Sequence, residues 1–251
     1  MTILDEIIDT IQEDAPVTSV LMGIYWTLVI TPRGSGMAAT FGNIHAPGKG
    51  KIRGVGTFEE MSTRSLVEYS RSENPLEASL GIAALNALIC PQEPAGIELN
   101  AFDVLVNWGR DRQVVMVGHF PFARRLRPQV GNLWVLEKDP EEDDIPADRA
   151  YELIPQADVV AITGSSLINH TLDGLLKLCK KDARVIILGP STPLSPVLFD
   201  HGAKLISGVQ VTDPSLVYRT ISQGADFQQV EGVRLVTVKP DGLSKLEVEK
   251  H

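Results

Sequence analysis

Hydrophobic residues at the amino terminus follow first a helical and then a strand-like spacing. Leucine and isoleucine recur every three or four positions from Ile3 to Ile11, which predicts an amphipathic helix over residues 3–13. Residues 17–31 are rich in β-branched and aromatic side chains, and the Pro-Arg-Gly-Ser-Gly sequence at 32–36 is typical of a turn. The pattern predicts a β-hairpin after one short helix.

Two more helix starts lie in the same part of the chain. Thr57 and Glu60 have the spacing of a capping box, which indicates that a helix begins there. Asn74 is a good N-cap for a second helix, and Glu77, three residues later, is its expected capping partner. The second helix, over residues 75–89, is apolar on nearly all sides, so we expect it to be buried.

Ser79 and Asn86 are polar exceptions in that apolar helix. They lie seven positions apart and therefore share one face. Buried polar groups need hydrogen-bond partners. Two interpretations stay open: the two side chains bond within the core, or they border a ligand site between two domains.

The rhythm of the sequence changes after residue 110. Asn100 can cap one further short helix, and Gly109 lies where a helix-ending glycine is expected. Beyond it, short runs that are apolar almost throughout alternate with helical patterns, which favours a parallel sheet covered on both faces. The runs are residues 114–120, 133–138, 158–164, 184–190, 203–209 and 234–240. We therefore predict an α/β protein with an amino-terminal α+β domain over 1–110 and a Rossmann-like, doubly wound, mostly parallel sheet domain over 111–251.

Ligands of such sheets bind beyond the carboxyl ends of the strands, near the point where the strand order reverses. This rule selects the turn Gly118-His119-Phe120-Pro121, which follows the first strand of the second half. His119 is the candidate catalytic residue, because an imidazole can act as base, acid or metal ligand near neutral pH; a hydrogen-bonded structural turn is the open alternative. The second and third glycines of a dinucleotide fingerprint are missing, which disfavours a nicotinamide dehydrogenase.

Further candidate ligand-binding residues follow the next three strands. Glu137 ends the second strand, where Rossmann-like proteins often place an acid that binds ribose, although a solvated glutamate explains it equally. Polar groups after the third strand could form an anion pocket or serve only as turn and capping residues, Asn169 being the expected N-cap of the following helix. The fourth strand leads into a proline-stiffened turn that could hold hydrogen-bond donors or simply reverse the chain. The candidates in these two turns are Thr163, Ser165 and Asn169, and Gly189, Pro190, Ser191, Thr192 and Pro193.

Charge and composition exclude several partners. The formal net charge of -9 argues against nucleic acid, and we interpret the basic cluster at 124–127 as a solvated helix face. The acidic stretch 139–144 is predicted to be an exposed loop, and Cys90 and Cys179, far apart, to be small buried residues. The first ten residues carry no basic segment and no apolar run reaches the roughly 18–20 residues that span a bilayer, so we expect a cytoplasmic protein without membrane contact.

Four motifs in order resemble a bacterial and archaeal family of unknown function, known as the "putative heavy-metal chelation domain". They are EASLGIAALNA at 77–87, VGHFP at 117–121, ITGSSLINHTL at 162–172 and GPSTPLSPVLFDHG at 189–202. The resemblance implies a first domain similar to the amino-terminal domain of enolase, a second Rossmann-like domain and an active site between them. It also implies a role in heavy-metal chelation or in the biosynthesis of a flavin- or pterin-like chelator, with a heavy-metal ion as the candidate cofactor.

Three functional hypotheses follow. The first is an enzyme that acts on a small polar or anionic ligand, with His119 as acid, base or ligand. The second is a non-catalytic module that binds a metal or a metal chelate. The third, a nucleotide- or S-adenosylmethionine-dependent enzyme, depends on fold analogy and is disfavoured by the missing glycines. The sequence identifies neither the cofactor nor the metal, and it leaves a homo-oligomer open.

Overall fold

A computed structural model describes residues 1–42, 51–89, 100–141 and 143–240. Its first part contains a three-stranded antiparallel sheet in the order β1-β2-β3. The strands are β1 Ser19–Met22, β2 Trp26–Ile30 and β3 Ser35–Ala39. The predicted turn joins β2 to β3 but is shorter than 32–36, since Ser35 and Gly36 already belong to β3. The run 17–31 forms two strands, because the Gly23 N–H bonds to the Trp26 carbonyl and reverses the chain.

The described residues of this part form three helices, of which the last has its predicted bounds and the first two are shorter than predicted. They are α1 Ile3–Asp9, α2 Thr63–Val67 and α3 Pro75–Ile89. Residues 3–13 do not form one helix, since α1 ends at Asp9. The predicted capping box at Thr57 is wrong, because Thr57 makes no capping bond and Ser62 instead accepts the Ser65 N–H at the start of α2.

Helix α3 is buried, as predicted, and packs against β3 on one side and residues 68–71 on another. Asn74 accepts the Leu76 N–H and is the predicted N-cap. Glu77 does not complete a capping box; it binds Arg53. Glycines make the close packing possible: a Cβ on Gly36 would lie 2.2 Å from the Ala87 nitrogen, and one on Gly81 would lie 1.9 Å from the Ser70 nitrogen.

The second part is built on a seven-stranded sheet in the order β10-β9-β8-β7-β4-β5-β6. Its strands are β4 Gln113–Val117, β5 Asn132–Glu137, β6 Ile145–Pro146, β7 Val159–Thr163, β8 Arg184–Leu188, β9 Ala203–Val211 and β10 Val233–Val238. All neighbours are parallel except β9 and β10, which run antiparallel. The order therefore reverses between β4 and β7, as in a Rossmann-type sheet. The six predicted strands are confirmed, and β6 is an addition.

Helices cover both faces of this sheet. They are α4 Ala101–Gly109, α5 Ala123–Leu126, α6 Ala150–Leu153, α7 Leu172–Leu178 and α8 Val197–Asp200, whereas α9 Pro214–Ser222 packs against β1 and β2 of the small sheet. One face packs against α4 and α5, and the other against α6, α7 and α8. Asn169 is not the N-cap of α7 as predicted, since the helix begins at Leu172 after Thr171. The fold is therefore a mixed α/β architecture in which helices cover both faces of a mostly parallel, doubly wound sheet.

The two parts share one hydrophobic core. Apolar residues of α1 and α3 belong to the same buried cluster as residues of β7 and α7. Polar contacts cross the same junction, where the Ile3 N–H donates to the Asp173 carboxylate at 3.0 Å. The domain boundary at residue 110 and the likeness to enolase stay predictions. Helix α4 lies before that boundary in the chain but packs on the large sheet. Within the described ranges, no helix has the length and apolar character that crossing a bilayer requires.

Candidate functional site at the strand-order reversal

The reversal point brings the carboxyl ends of β4 and β7 side by side. Gly118 follows β4 with a φ of 100°, a left-handed conformation that favours glycine. A Cβ there would lie 3.0 Å from the Thr163 side chain at the end of β7. The glycine thus allows the two strand ends to approach each other, and His119 is the next residue along.

Two adjoining cavities open at this point, one of about 950 Å³ and one of about 600 Å³. We call them the first and the second cavity. The first lies between the ends of β4, β5 and β7 and the residues Phe41, Gly42, Glu73 and Pro75 of the amino-terminal part. His119, Phe120, Thr163 and Ser165 line both cavities. These four side chains therefore mark the boundary at which one ligand could contact both spaces.

A buried carboxylate holds the His119 imidazole. Nδ1 of His119 lies 2.9 Å and 3.2 Å from the two carboxylate oxygens of Asp144. The Asp144 side chain is only 1% exposed, whereas that of His119 is 33% exposed. The prediction that residues 139–144 form an exposed loop is therefore wrong at Asp144, which precedes β6 and turns inward. The pair leaves Nε2 as the imidazole nitrogen that a ligand can reach.

Glu137 lies at the end of β5 and lines the first cavity, as its position in the sequence suggested. Burial raises the pKa of its carboxyl above the ordinary range, and the negative charge of Asp144 adds to this increase. His119 and the Lys138 N–H act in the opposite direction. Glu137 is thus a carboxyl group that gains a proton more readily than a solvated glutamate.

We expect the Glu137→Gln variant to gain stability over the wild type as the pH rises. A raised folded-state pKa favours folding at low pH, and this contribution is lost from about pH 4.3, the ordinary value of glutamate, upward. Urea unfolding of both proteins between pH 4 and pH 8 measures the difference, which should increase with pH in favour of the variant. A difference that does not change with pH would contradict the raised pKa.

The polar residues after β7 line the first cavity and also support their own turn. Thr163 Oγ1 accepts the Ser165 N–H at 3.3 Å. Asn169 Oδ1 accepts the Thr171 hydroxyl at 2.6 Å. The sequence left open whether these residues bind a ligand or only support their turn. The structure is compatible with both, because the residues make local hydrogen bonds and also line the first cavity.

The proline-rich turn after β8 divides between a cavity and the interior. Gly189 and Pro190, like Pro121, line the second cavity. Ser191, Thr192 and Pro193 are buried and lie outside the linings of both cavities. The Ser191 hydroxyl accepts the Ala39 N–H at 2.9 Å, so it joins β3 to the second part.

Ser79 and Asn86 also lie outside both linings. Ser79 accepts the Phe41 N–H at 2.9 Å and donates to the Pro75 carbonyl at 2.8 Å. The Asn86 side chain donates to the Met37 carbonyl at 3.0 Å. Of the two interpretations that the sequence left open, these bonds favour partners within the core, although Ser79 holds the backbone of a residue that lines the first cavity.

Sequence reasoning missed the aromatic lining of the second cavity. Trp26, Phe102, Phe122 and Phe227 lie in four separate stretches of the chain, and only the fold brings them together. Arg125 stacks over the Phe102 ring with 4.6 Å between the guanidinium carbon and the ring centroid. Arg124, Arg125 and Arg127 are exposed, as the interpretation of this cluster as a solvated face predicts, but Arg125 also lines the second cavity.

The donor groups of the described residues do not fit a heavy-metal ion held by protein side chains alone. Across the described ranges, no cluster of three or more His, Cys, Asp or Glu is arranged to hold a metal. Soft metals favour thiolates, but burial raises the pKa of the Cys179 thiol to about 11, so it stays protonated. Cys179 is partly buried, in line with its predicted role, and Cys90 lies outside the described residues.

Comparisons with known proteins agree with this architecture. A family model named DUF364 and described as "Putative heavy-metal chelation" matches residues 100–239, and one named DUF4213 with the same description matches residues 4–89. An uncharacterised protein of Methanocaldococcus jannaschii is 29% identical over 176 residues, which cover 65% of this chain and 67% of that protein.

Two solved structures extend the likeness to nearly the whole chain. A DUF364 protein of unknown function from Desulfitobacterium hafniense is 28% identical with a TM-score of 0.82, covering 94% of this chain and 97% of its own. A DUF364 protein of unknown function from Pyrococcus horikoshii shares the fold at 20% identity and a TM-score of 0.77, covering 94% and 98%. The resemblance seen in the four sequence motifs is confirmed: the chain belongs to the DUF364 family, whose description is "Putative heavy-metal chelation".

Proposed function

We propose that this protein is an enzyme that binds a small polar organic ligand between its two parts and exchanges a proton with it through His119. The observation that carries the proposal is the contact between His119 and the buried Asp144 carboxylate at the strand-order reversal. A histidine oriented by a buried carboxylate is a recurring arrangement in general acid–base catalysis.

The pair defines what each group does. When His119 is neutral, its Nδ1–H donates to Asp144, and the lone pair on Nε2 can accept a proton from the ligand. The Asp144 carboxylate then stabilises the imidazolium until Nε2 returns the proton. Glu137, whose raised pKa results mainly from burial, offers a second position for a proton in the same cavity.

The description of the family is compatible with this proposal if the metal is handled by an organic chelator. The described side chains lack a donor cluster for a bare ion, whereas the cavities have room for a molecule. The ligand would then be a chelator, its flavin- or pterin-like precursor or its metal complex. The chain's own residues would bind and orient that molecule and exclude water from it.

The test is to identify what the purified protein carries. Mass spectrometry of the denatured extract detects organic compounds, and elemental analysis detects metals. We expect an organic compound to co-purify with the wild type. The His119→Ala variant should bind it with about tenfold lower affinity, because a hydrogen bond from an ionisable group is lost. His201→Ala is the matched control, since His201 pairs with Glu6 at 2.8 Å but lines neither cavity.

Each other outcome favours a different function. Equal amounts of compound in the two histidine variants would contradict the role of His119. Stoichiometric metal without an organic compound would favour the non-catalytic binding module. Stabilisation by S-adenosylmethionine or a nicotinamide cofactor in a thermal-shift assay would favour the third hypothesis.

A further inference from the structure

Aromatic rings form much of the wall of the second cavity. The Trp26 and Phe227 ring centroids are 5.5 Å apart with a tilt of 60°. Phe120 and Phe122 are stacked at 5.4 Å and 23°. The rings come from β2, from the turn after β4 and from the stretch that precedes β10, so they surround the space rather than forming one local patch.

This lining suits a flat, π-rich ring. Aromatic side chains bind flat heterocycles by stacking and edge contacts, and the energy depends little on which heterocycle is bound. A volume of about 600 Å³ lies in the ordinary range for small-molecule sites. A few polar groups, among them Asn100, Ser207 and Gln228, could fix the orientation of such a ring.

The first cavity has a different chemistry. Glu73, Glu137 and Asp139 line it, whereas Lys138 is the single lysine or arginine among the described lining residues. A phosphate there would meet more carboxylates than cations, which disfavours binding. The hydroxyls of Thr163 and Ser165 instead suit the hydroxyl groups of an uncharged ligand.

We propose that the two cavities bind one ligand: a flat ring in the second cavity and an uncharged, hydroxyl-bearing arm in the first. The residues shared by both cavities place the junction of ring and arm beside His119. This inference deepens the proposed function and rests on it, because it names the class of molecule that reaches the imidazole. It also predicts that phosphorylated forms of the same molecules are rejected.

Matched pairs of compounds test the inference by isothermal titration calorimetry on the full chain. The pairs are adenosine and AMP, guanosine and GMP, and riboflavin and FMN, and the members of each pair differ only by a phosphate. Ribose serves as the hydroxyl-bearing arm without an aromatic ring. We expect at least one unphosphorylated compound to bind, its phosphorylated partner to bind about tenfold more weakly or worse, and ribose not to bind.

A variant pair locates the ring. Phe227→Leu should weaken binding of that compound about fivefold, because a stacking surface is lost. Phe199→Leu removes a partly buried ring outside both cavities and should leave binding unchanged. Circular dichroism confirms that both variants are folded.

The outcomes separate this inference from the proposed function. Equal or tighter binding of the phosphorylated members, no binding by any member, or equal effects of the two phenylalanine variants would overturn the two-cavity ligand. The contact of His119 with the ligand, on which proton exchange depends, is judged separately, by the amount of compound that His119→Ala and His201→Ala retain. Ring binding that persists while that comparison shows no difference would keep the ligand class and remove the contact between His119 and the ligand.

Discussion

Replacing Gly81 by alanine is expected to destabilise the protein by about 3 kcal/mol or more, because a core position is overpacked against rigid backbone. The added Cβ would lie 1.9 Å from the Ser70 nitrogen and 2.5 Å from the Ser70 Cα. Both are backbone atoms, so relief requires helix α3 and residues 68–71 to move apart. Equilibrium urea unfolding, followed by circular dichroism, measures the change in free energy.

Gly174→Ala is the matched control for this substitution. Gly174 also lies in a helix, α7, but an added Cβ would have no neighbour within 4 Å. Alanine is a better helix former than glycine by about 1 kcal/mol, so this variant should be equally or more stable than the wild type. Similar stabilities for Gly81→Ala and Gly174→Ala would show that α3 does not pack as closely as described.

Glu77→Gln should lower the free energy of unfolding at pH 7 by about 2 kcal/mol, the usual size of a hydrogen bond to a charged group, because a neutral amide replaces the buried carboxylate. Glu77 is buried on α3, and its carboxylate binds the Arg53 Nε and Nη2 at 3.0 Å and 2.9 Å and accepts the Ser72 hydroxyl at 2.6 Å. Hydrogen bonds from the Arg53 side chain, with those from Ser72, lower the pKa of Glu77 to about 2. Arg53 is itself exposed, so water screens part of the attraction.

The pH dependence separates this ion pair from ordinary packing. A lowered folded-state pKa stabilises the protein above the ordinary glutamate value of about 4.3, and the contribution is lost as the pH falls towards 2. The Glu77→Gln deficit should therefore shrink between pH 5 and pH 2.5, opposite in sense to the pH trend expected for Glu137→Gln. Glu68→Gln, which breaks an exposed pair with Arg71, should cost less than about 0.5 kcal/mol. A Glu77→Gln deficit that stays constant with pH would contradict the ionic origin.

The sequence predicts the large sheet well, because its strands are buried on both faces and therefore read as short apolar runs. The positions of Gly118, His119 and Thr163 follow from the rule that ligands bind at the carboxyl ends of such strands. Short local signals were less reliable. The capping spacing at Thr57 produced no cap, and the apolar run 17–31 hid a chain reversal at Gly23.

Residues that meet only through the fold could not be predicted from spacing. Asp144 lies in an acidic stretch that suggests solvent, but its side chain is buried against His119 just before β6, which pairs with β5. Trp26 and Phe227 come from opposite ends of the chain. Ser191 illustrates the opposite case. Its position after a strand end suggested a ligand-binding residue, but its hydroxyl accepts the Ala39 N–H of β3 and lines neither cavity.

The core shared by the two parts has a practical consequence for finding the ligand. Because apolar residues of α1, α3, β7 and α7 pack in one cluster, we expect the two family regions to melt in a single cooperative transition. A molecule that binds between them then raises the melting temperature of the entire chain, by an amount set by its concentration and dissociation constant. A melting curve recorded against a chemical library thus reports occupancy of the cleft even while the reaction is unidentified.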